Sequence, residues 1–346
     1  MLRPPRGPTR APAPGAGTAG AHLGCARADL APPAVTEGSR RSSDDRAALA
    51  WLASHPGHTV LFTDFDGTLS RIVARPELAR PLPGSAGALS RLARHLFAVG
   101  VVSGRPAAWL SEELAITPEA TGGEGSAHRG GGIEIYGQHG VEHLTPGGIV
   151  VAEGALSWRS ALARVRASAL EAGIPGLEVE DKTDGVTLHW RQAADQVETA
   201  GRAEELARQQ AAATGLVARP GKASIELVAP IGVDKGTVVR RWAAKCGVER
   251  IAFFGDDESD VAAFAAIDEI TGTGRDDGGG AIGQQKIAGL KIAGLKIAGL
   301  KIAVGGPEAP GELLRRADLV LATPEEAVRL LMELAEQLDS PGSGAP

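Results

Sequence analysis

The chain has few of the residues that several large protein classes require. Only 3% of its 346 residues are aromatic, which disfavours a surface on which nucleic-acid bases stack. The net charge is −6 and the part predicted to fold has no basic block, so nucleic acid is not an expected partner. No run of about 18 apolar residues occurs, so no membrane-spanning helix is expected.

Cysteine is also scarce, with Cys25 and Cys246 alone in the chain. Residues 1–45 are rich in Pro, Ala, Gly and Arg and lack apolar periodicity, which predicts a disordered tail. Because Cys25 lies in that tail, we expect no structural disulfide. Prolines interrupt every candidate for the apolar core of a secretory signal. These features favour a cytoplasmic protein, which we expect to be a monomer.

Strand and helix patterns alternate from about residue 58, which favours an α/β fold with a parallel sheet. The pattern changes in residues 185–191, where apolar and polar residues alternate as in an antiparallel strand with one open face. We therefore predict an α/β core formed by residues 46–145 and 230–340. Residues 146–229 are predicted to form a small α+β domain inserted into that core.

The most informative motif is Asp64-Phe65-Asp66-Gly67-Thr68-Leu69, which follows the apolar run Val60-Leu61-Phe62-Thr63. A carboxylate at the carboxyl end of a parallel strand points into the crevice where α/β folds bind ligands. Two neighbouring carboxylates repel each other unless they share a cation or a proton. Such a pair can hold Mg²⁺ while one carboxylate attacks phosphorus and the other moves a proton. The alternative is a surface turn, which the preceding apolar strand makes less favoured.

Three further signals follow apolar runs. Ser103 ends the run 97–102, Lys235 comes soon after residues 230–233, and the motif Gly-Asp-Asp-Glu-Ser-Asp follows 251–254. Lys235 would neutralise a bound phosphate, and Ser103 would hydrogen-bond a phosphate oxygen. Considered alone, Ser103 is explained equally well as the N-cap of a helix, and Lys235 as a lysine exposed to solvent. Because all three signals occur in one chain together with Asp64 and Asp66, a phosphate-binding site is favoured over these separate explanations.

Magnesium requires oxygen ligands in near-octahedral geometry and keeps several waters. Asp64, Asp256 and a backbone carbonyl would supply the protein's ligands. In the same Gly-Asp-Asp motif, Asp257 and Asp260 are further carboxylates. The sequence therefore predicts a Mg²⁺ site at the carboxyl edge of the sheet.

These motifs, in this order, resemble the four motifs of the haloacid dehalogenase-like phosphatase superfamily. The resemblance implies a Rossmann-like core and an α+β cap inserted between the second and third motifs. It implies that Asp64 is the nucleophile and forms an aspartyl-phosphate, while Asp66 serves as general acid and then as base. Ser103 and Lys235 are implied as catalytic residues, and Asp64, Asp66 and Asp256 as the Mg²⁺ site.

A longer series of motifs resembles the trehalose-6-phosphate phosphatases. It consists of Val102-Ser103-Gly104-Arg105-Pro106, Tyr136-Gly137-Gln138-His139-Gly140, Glu180-Asp181-Lys182, Leu188-His189-Trp190-Arg191 and Glu226. The resemblance implies hydrolysis of trehalose 6-phosphate to trehalose and phosphate, the final step of trehalose biosynthesis. The implied substrate-binding residues are Arg105, His139, Glu180, Lys182 and Glu226. Mixed Glu and Lys side chains suit sugar hydroxyls, which both donate and accept hydrogen bonds.

Three positions depart from the family pattern. Gln138 and Asp181 stand where Asn is common, and Ser259 stands where Thr is common. The alternatives are a phosphatase of another sugar phosphate such as sucrose phosphate, a phosphomutase, and a non-catalytic sugar-phosphate binding protein.

Residues 286–303 repeat Lys-Ile-Ala four times, joined by Gly-Leu, with a period of five. On a helix this period rotates each copy by about 140°, so no apolar stripe forms. In a strand, an odd period places successive copies on opposite faces, and the glycines disfavour both elements. We predict an insertion on the surface, with only the last copy, Leu300 to Val304, in a strand.

Overall fold

The structure is a computed structural model that describes residues 43–73, 75–122, 132–221, 223–273, 290–292, 295–306 and 309–340. Most of the predicted tail, residues 1–42, lies outside the described residues. Residues 43–45, which the composition assigned to that tail, instead begin the first helix, Ser43–Ala53.

The described residues contain thirteen strands and nine α-helices. The strands are β1 (Thr59–Thr63), β2 (Ala98–Val102), β3 (Ile133–Gly137), β4 (Glu142–Thr145), β5 (Gly148–Val151), β6 (Glu178–Asp181), β7 (Gly185–His189), β8 (Val217–Gly221), β9 (Ser224–Val228), β10 (Arg250–Gly255), β11 (Leu290–Ile292), β12 (Leu295–Val304) and β13 (Leu319–Leu321). The helices are α1 (Ser43–Ala53), α2 (Ser85–Leu92), α3 (Ala107–Glu113), α4 (Arg159–Glu171), α5 (Gln196–Thr214), α6 (Lys235–Ala243), α7 (Asp260–Thr271), α8 (Gly311–Arg316) and α9 (Pro324–Asp339).

Nine strands form one sheet in the order β11-β12-β10-β1-β2-β3-β4-β5, and β13 pairs with β12. The strands from β12 to β3 in this order are parallel, and β4, β5 and β11 are antiparallel additions. Alternate residues of β1 face two apolar layers: Leu61 packs with α2 and α9, whereas Phe62 packs with α6 and α7. A parallel sheet is normally covered on both faces in this way. The predicted α/β class with a parallel sheet is therefore confirmed.

A second, antiparallel sheet has the order β6-β7-β9-β8. Leu188 of β7 and Leu227 of β9 are buried against α4 and α5, and the other face of this sheet carries polar residues. The whole sheet lies within residues 146–229, where an α+β insertion was expected. The bounds of the two domains stay a prediction. No helix of the described residues has the length and apolarity needed to cross a membrane.

The repeat differs from the expectation. Strand β12 begins at Leu295 rather than Leu300, and β11 pairs with it in antiparallel orientation. A glycine is tolerated inside β12 because α7 lies against it: a Cβ at Gly299 would lie 2.3 Å from Cγ2 of Ile267. The predicted start of the strand was therefore wrong. The glycines were expected to disfavour a strand, but the missing side chain of Gly299 allows α7 to pack closely against β12. Residues 286–289, 293 and 294 of the repeat lie outside the described residues.

Candidate active site

Four of the predicted site residues lie at the carboxyl edge of four adjacent parallel strands. Asp64 follows β1, Ser103 follows β2, His139 lies two residues beyond β3, and Asp256 follows β10. Because parallel strands all end at the same edge, a strand-end position in the sequence places these residues in one crevice.

Lys235 is the positive centre of this edge. It is the first residue of α6, whose start is fixed by a capping box in which the Asp234 carboxylate accepts a 2.7 Å hydrogen bond from the Thr237 amide. The Lys235 Nζ lies 3.0 Å from Oδ1 of Asp64 and 2.7 Å from Oδ1 of Asp260. The lysine is only 1% exposed. Burial opposes its charge, but the two carboxylates outweigh burial and raise the pKa of Lys235.

The carboxylates of the edge outnumber its cations. Burial raises the pKa of Asp64 to about 7, although Lys235 opposes the change. Burial also raises the pKa of Asp256 to about 8, and repulsion by Asp260 and Asp257 adds to this effect. A cation placed among these groups would favour their ionised forms. The electrostatics of the edge therefore fit a metal ion.

The donor atoms also fit a metal ion. Carboxylate oxygens of Asp64, Asp257 and Asp260 all lie within 4.8 Å of one another. Oδ1 of Asp64 is buried, and Nζ of Lys235 lies 3.0 Å from it. Oxygen donors of this kind are those that Mg²⁺ prefers. Of the predicted ligands, Asp64 belongs to this group. Asp257 and Asp260 are its other members, and Nζ of Lys235 lies within 3.9 Å of an oxygen of each of the three.

Asp256 lies beside the group, against the turn of the first motif. A Cβ at Gly67 would lie 1.9 Å from Oδ2 of Asp256, and the φ angle of this glycine is +77°. The Thr68 hydroxyl donates a 3.3 Å hydrogen bond to Oδ1 of Asp256. Both the space and the backbone conformation therefore require glycine at position 67, and the turn holds the Asp256 carboxylate in place.

Asp66, two residues after Asp64, is bound by Arg105. Nε of Arg105 donates to one carboxylate oxygen at 2.6 Å and Nη2 donates to the other at 2.7 Å. The guanidinium also lies over the ring of Trp109, 4.6 Å from its centre. This two-point contact fixes the side chain of Asp66 against Arg105.

Ser103 and His139 are joined through the backbone. The Ser103 carbonyl accepts a 2.8 Å hydrogen bond from the His139 amide, and its amide donates to the Tyr136 carbonyl at 3.0 Å. His139 has a positive φ of 56°, and its Nδ1 has no hydrogen-bond partner among the described residues. Burial lowers the pKa of His139 to about 4, and the charges of Lys235 and Lys182 add to the effect. The imidazole is therefore neutral near pH 7.

The predicted substrate-binding residues of the insertion share one face of the four-stranded sheet. Glu180 of β6 pairs in register with Thr187 of β7, which pairs with Glu226 of β9. The Lys182 Nζ lies 2.6 Å from Oε1 of Glu226, and Nε2 of His189 lies 2.9 Å from Oε2 of Glu180. These are polar, partly exposed groups of both charges, as recognition of hydroxyl groups requires.

This face lies within electrostatic reach of the catalytic edge. Burial lowers the pKa of Arg105, but the contacts with Asp66 outweigh burial, so the pKa is raised. Glu180 contributes to the rise. Lys182 and Glu226 both act on the pKa of His139. The structure thus brings the predicted phosphate-binding and sugar-binding residues into one region.

Two roles were missed from the sequence. Asp260 was noticed as an acidic residue, but not as the 2.7 Å partner of Lys235 or as the acceptor for the amides of Asp256 and Asp257. Glu142 gave no signal, because β4 is a short strand in which Leu144 is the one apolar residue, yet Glu142 is buried.

The geometry can be compared with known proteins. The family model described as trehalose-phosphatase matches residues 62–286, more than half of the chain. The chain belongs to the trehalose-phosphatase family. The resemblance found in the motifs is therefore confirmed.

Relatives in this family include the trehalose-phosphate phosphatase of Mycobacterium ulcerans, which is 32% identical over 252 residues. That match covers 69% of this chain and 60% of the relative, so the chain spans about three fifths of the length of such relatives. Among solved structures, the C-terminal domain of Candida albicans trehalose-6-phosphate phosphatase has a TM-score of 0.60 at 21% identity and covers 84% of this chain and 96% of its own. A trehalose-6-phosphate phosphatase related protein has a TM-score of 0.57 at 22% identity, covering 80% and 97%. The two structures share the fold with this trehalose-phosphatase family member.

Proposed function

We propose that this member of the trehalose-phosphatase family is a Mg²⁺-dependent phosphatase that hydrolyses trehalose 6-phosphate to trehalose and phosphate. The observation that carries the proposal is the buried carboxylate of Asp64 at the end of β1. It is paired with Lys235, and Asp66 follows it two positions later in the chain. A buried carboxylate aimed into the crevice, with a general acid next to it, suits nucleophilic attack on a phosphate ester.

In the first step, an oxygen of Asp64 attacks phosphorus and the bond from phosphorus to the sugar oxygen breaks. Asp66 gives its proton to the departing sugar oxygen. In the second step, water attacks the phosphorus of the aspartyl-phosphate, Asp66 takes a proton from that water, and phosphate leaves. Lys235 balances the charge of Asp64 and of the phosphoryl group throughout.

The contact between Arg105 and Asp66 has a consequence for these steps. Both oxygens of Asp66 accept from Arg105, so protonation of Asp66 requires this guanidinium to release at least one of them. A substrate phosphate is the natural competing partner for a planar guanidinium. Binding of the phosphate by Arg105 would thereby free Asp66 to act as the acid.

Asp64, Asp256 and the backbone next to Asp66 would hold Mg²⁺, with Asp257 and Asp260 close by. When bound, the ion would supply positive charge that stabilises the phosphate oxygens during transfer. Ser103, 1% exposed at the end of β2, would donate its hydroxyl hydrogen to a phosphate oxygen. Glu180, Lys182 and Glu226 would hold the sugar. The cytoplasmic location and the monomeric state remain predictions.

The test is phosphate release from a panel of sugar phosphates, with Mg²⁺ and with the ion removed by a chelator. We expect rapid release from trehalose 6-phosphate, slower release from sucrose 6-phosphate and glucose 6-phosphate, and loss of release without Mg²⁺. Preference for another sugar phosphate would contradict the substrate. Tight binding of the panel without any release would contradict the enzymatic assignment.

A further inference from the structure

A buried carboxylate outside the catalytic edge joins the two sheets. Glu142 of β4 is 7% exposed, and its two oxygens accept from two separate segments. Oε2 accepts a 2.7 Å hydrogen bond from the backbone amide of Ala107, and Oε1 accepts from the hydroxyl of Thr183. A buried carboxylate that loses a donor is costly, so this bridge favours the arrangement in which both donors are present.

On one side, the bridge is anchored next to the phosphate-binding residues. Ala107 is the first residue of α3, and Arg105 and Ser103 immediately precede that helix. The start of α3 is packed tightly against β3, since a Cβ at Gly137 would lie 2.2 Å from the Ala107 nitrogen. Gly137 in turn pairs in register with Glu142. The carboxylate of Glu142 therefore has a fixed place relative to the residues at the end of β2.

On the other side, the bridge is anchored next to the sugar-binding face. Thr183 lies in the turn between β6 and β7, directly after Lys182. The turn is closed by a 2.9 Å hydrogen bond from the Lys182 amide to the Gly185 carbonyl, and the Ala229 amide donates to the Asp184 carbonyl at 2.7 Å. Because the turn is held at both points, Thr183 cannot move without carrying Lys182 and its partner Glu226 with it.

We infer that Glu142 and Thr183 form a positioning contact that sets the face of Lys182 and Glu226 at the correct distance from Ser103 and Arg105. The inference rests on the proposed function, because its consequence is a preference for phosphates that carry a sugar. Binding at two places gains from a fixed separation between them. A substrate that reaches only the catalytic edge gains nothing from this contact.

The matched variants are Thr183→Val, which keeps the shape and removes the hydroxyl, and Thr183→Ser, which keeps the hydroxyl. The substrates are trehalose 6-phosphate and p-nitrophenyl phosphate, which has no sugar. For Thr183→Val we expect kcat/KM on trehalose 6-phosphate to fall by about 10- to 100-fold, the range for a hydrogen bond to a charged group, mainly through KM. Turnover of p-nitrophenyl phosphate should be unchanged, and Thr183→Ser should restore the wild-type preference.

The control is Thr199→Val, which removes a hydroxyl bonded to the Pro175 carbonyl at 3.0 Å within the same α+β segment. We expect it to leave the ratio of the two substrates unchanged. An unchanged ratio in Thr183→Val, or an equal loss on both substrates, would overturn the inference.

A second measurement separates failure of the inference from failure of the proposed function. In the substrate-free protein, amide hydrogen exchange of residues 178–185 should be faster in Thr183→Val than in Thr183→Ser. If wild-type protein hydrolyses p-nitrophenyl phosphate but not trehalose 6-phosphate, the proposed substrate is wrong, and this exchange still decides whether the contact exists. Equal amide exchange rates of these residues in the two variants would overturn the inferred contact.

Discussion

Each of the two sheets places a lysine against carboxylates, but in very different surroundings. Lys235, at the edge of the nine-stranded sheet, is 1% exposed and contacts both Asp64 and Asp260. Lys182, on the four-stranded sheet, has 17% of its side chain exposed and contacts Glu226, which is 20% exposed. A fully buried charge depends on its partners to remain ionised, whereas a partly exposed one can exchange its partner for water or a ligand. The first pair is therefore suited to chemistry, and the second to recognition.

The largest expected effect concerns the chemical edge. Asp64→Asn removes the nucleophile, and we expect turnover of every phosphate ester to fall by about 10⁴-fold or more. Lys235 keeps its 2.7 Å contact with Asp260, so the fold should persist. Phosphate release and a thermal melt followed by circular dichroism check both statements. Release at the wild-type rate by a folded variant would contradict the assignment of Asp64.

The two lysines can be compared directly by replacing each with methionine. Lys235→Met leaves Asp64 and Asp260 buried without their cation, so we expect a loss of about 3–5 kcal/mol in the free energy of unfolding, besides loss of activity. Lys182→Met removes a partly exposed pair and should cost about 1 kcal/mol or less. Urea unfolding of both variants measures the contrast. Equal losses would mean that the two pairs do not differ as their burial indicates.

The kinetic contrast between the lysines is smaller. For Lys182→Met we expect KM for trehalose 6-phosphate to rise about tenfold, because one charged hydrogen-bonding partner of the sugar is lost. Turnover of p-nitrophenyl phosphate should not change. A loss of kcat on both substrates would instead place Lys182 in the chemical step.

The last prediction concerns burial in the turn between β6 and β7, and its effect is confined to pH values above the raised pKa. Burial, assisted by the charge of Glu226, raises the pKa of Asp184 to about 6 from 3.8. A raised folded-state pKa means that the stability associated with the neutral carboxyl is present below pH 4 and lost as the pH rises through 6. We therefore expect Asp184→Asn to be more stable than the wild type by about 1–3 kcal/mol at pH 8.

The same variant should show little difference from the wild type at pH 4, where the carboxyl is neutral in both states. Urea unfolding at the two pH values measures this change. A gain of equal size at both would indicate that the charge of Asp184 is not its cause.

Much of the central sheet could be predicted from the sequence, because β1, β2 and β10 are apolar runs buried on both faces. The strands β6 and β8 could not, since nearly all of their residues are exposed or partly exposed and show no apolar alternation. Helix α1 was missed because its first residues continue the polar composition of the preceding segment.

The candidate site shows the same division. The strand-end positions of Asp64, Ser103 and Asp256 could be predicted from the sequence because an apolar run precedes each of them. The contact between Glu142 and Thr183 could not be predicted, because a single pair of side chains makes it and neither segment has a sequence pattern that indicates it. Contacts of this kind depend on how helices and sheets pack, which periodicity does not specify.

The repeat that supplies β12 has a consequence for how this gene can vary. Each unit of Leu-Lys-Ile-Ala-Gly is the same, so a shift of five residues brings an identical side chain to almost every position of the strand. The main exception is Val304, which is buried where the unit has glycine. Gain or loss of one whole unit upstream would leave the same residues beside β10 and α7. The strand is insensitive to the count of units before it, and only a change that is not a multiple of five would alter which residues face the helices.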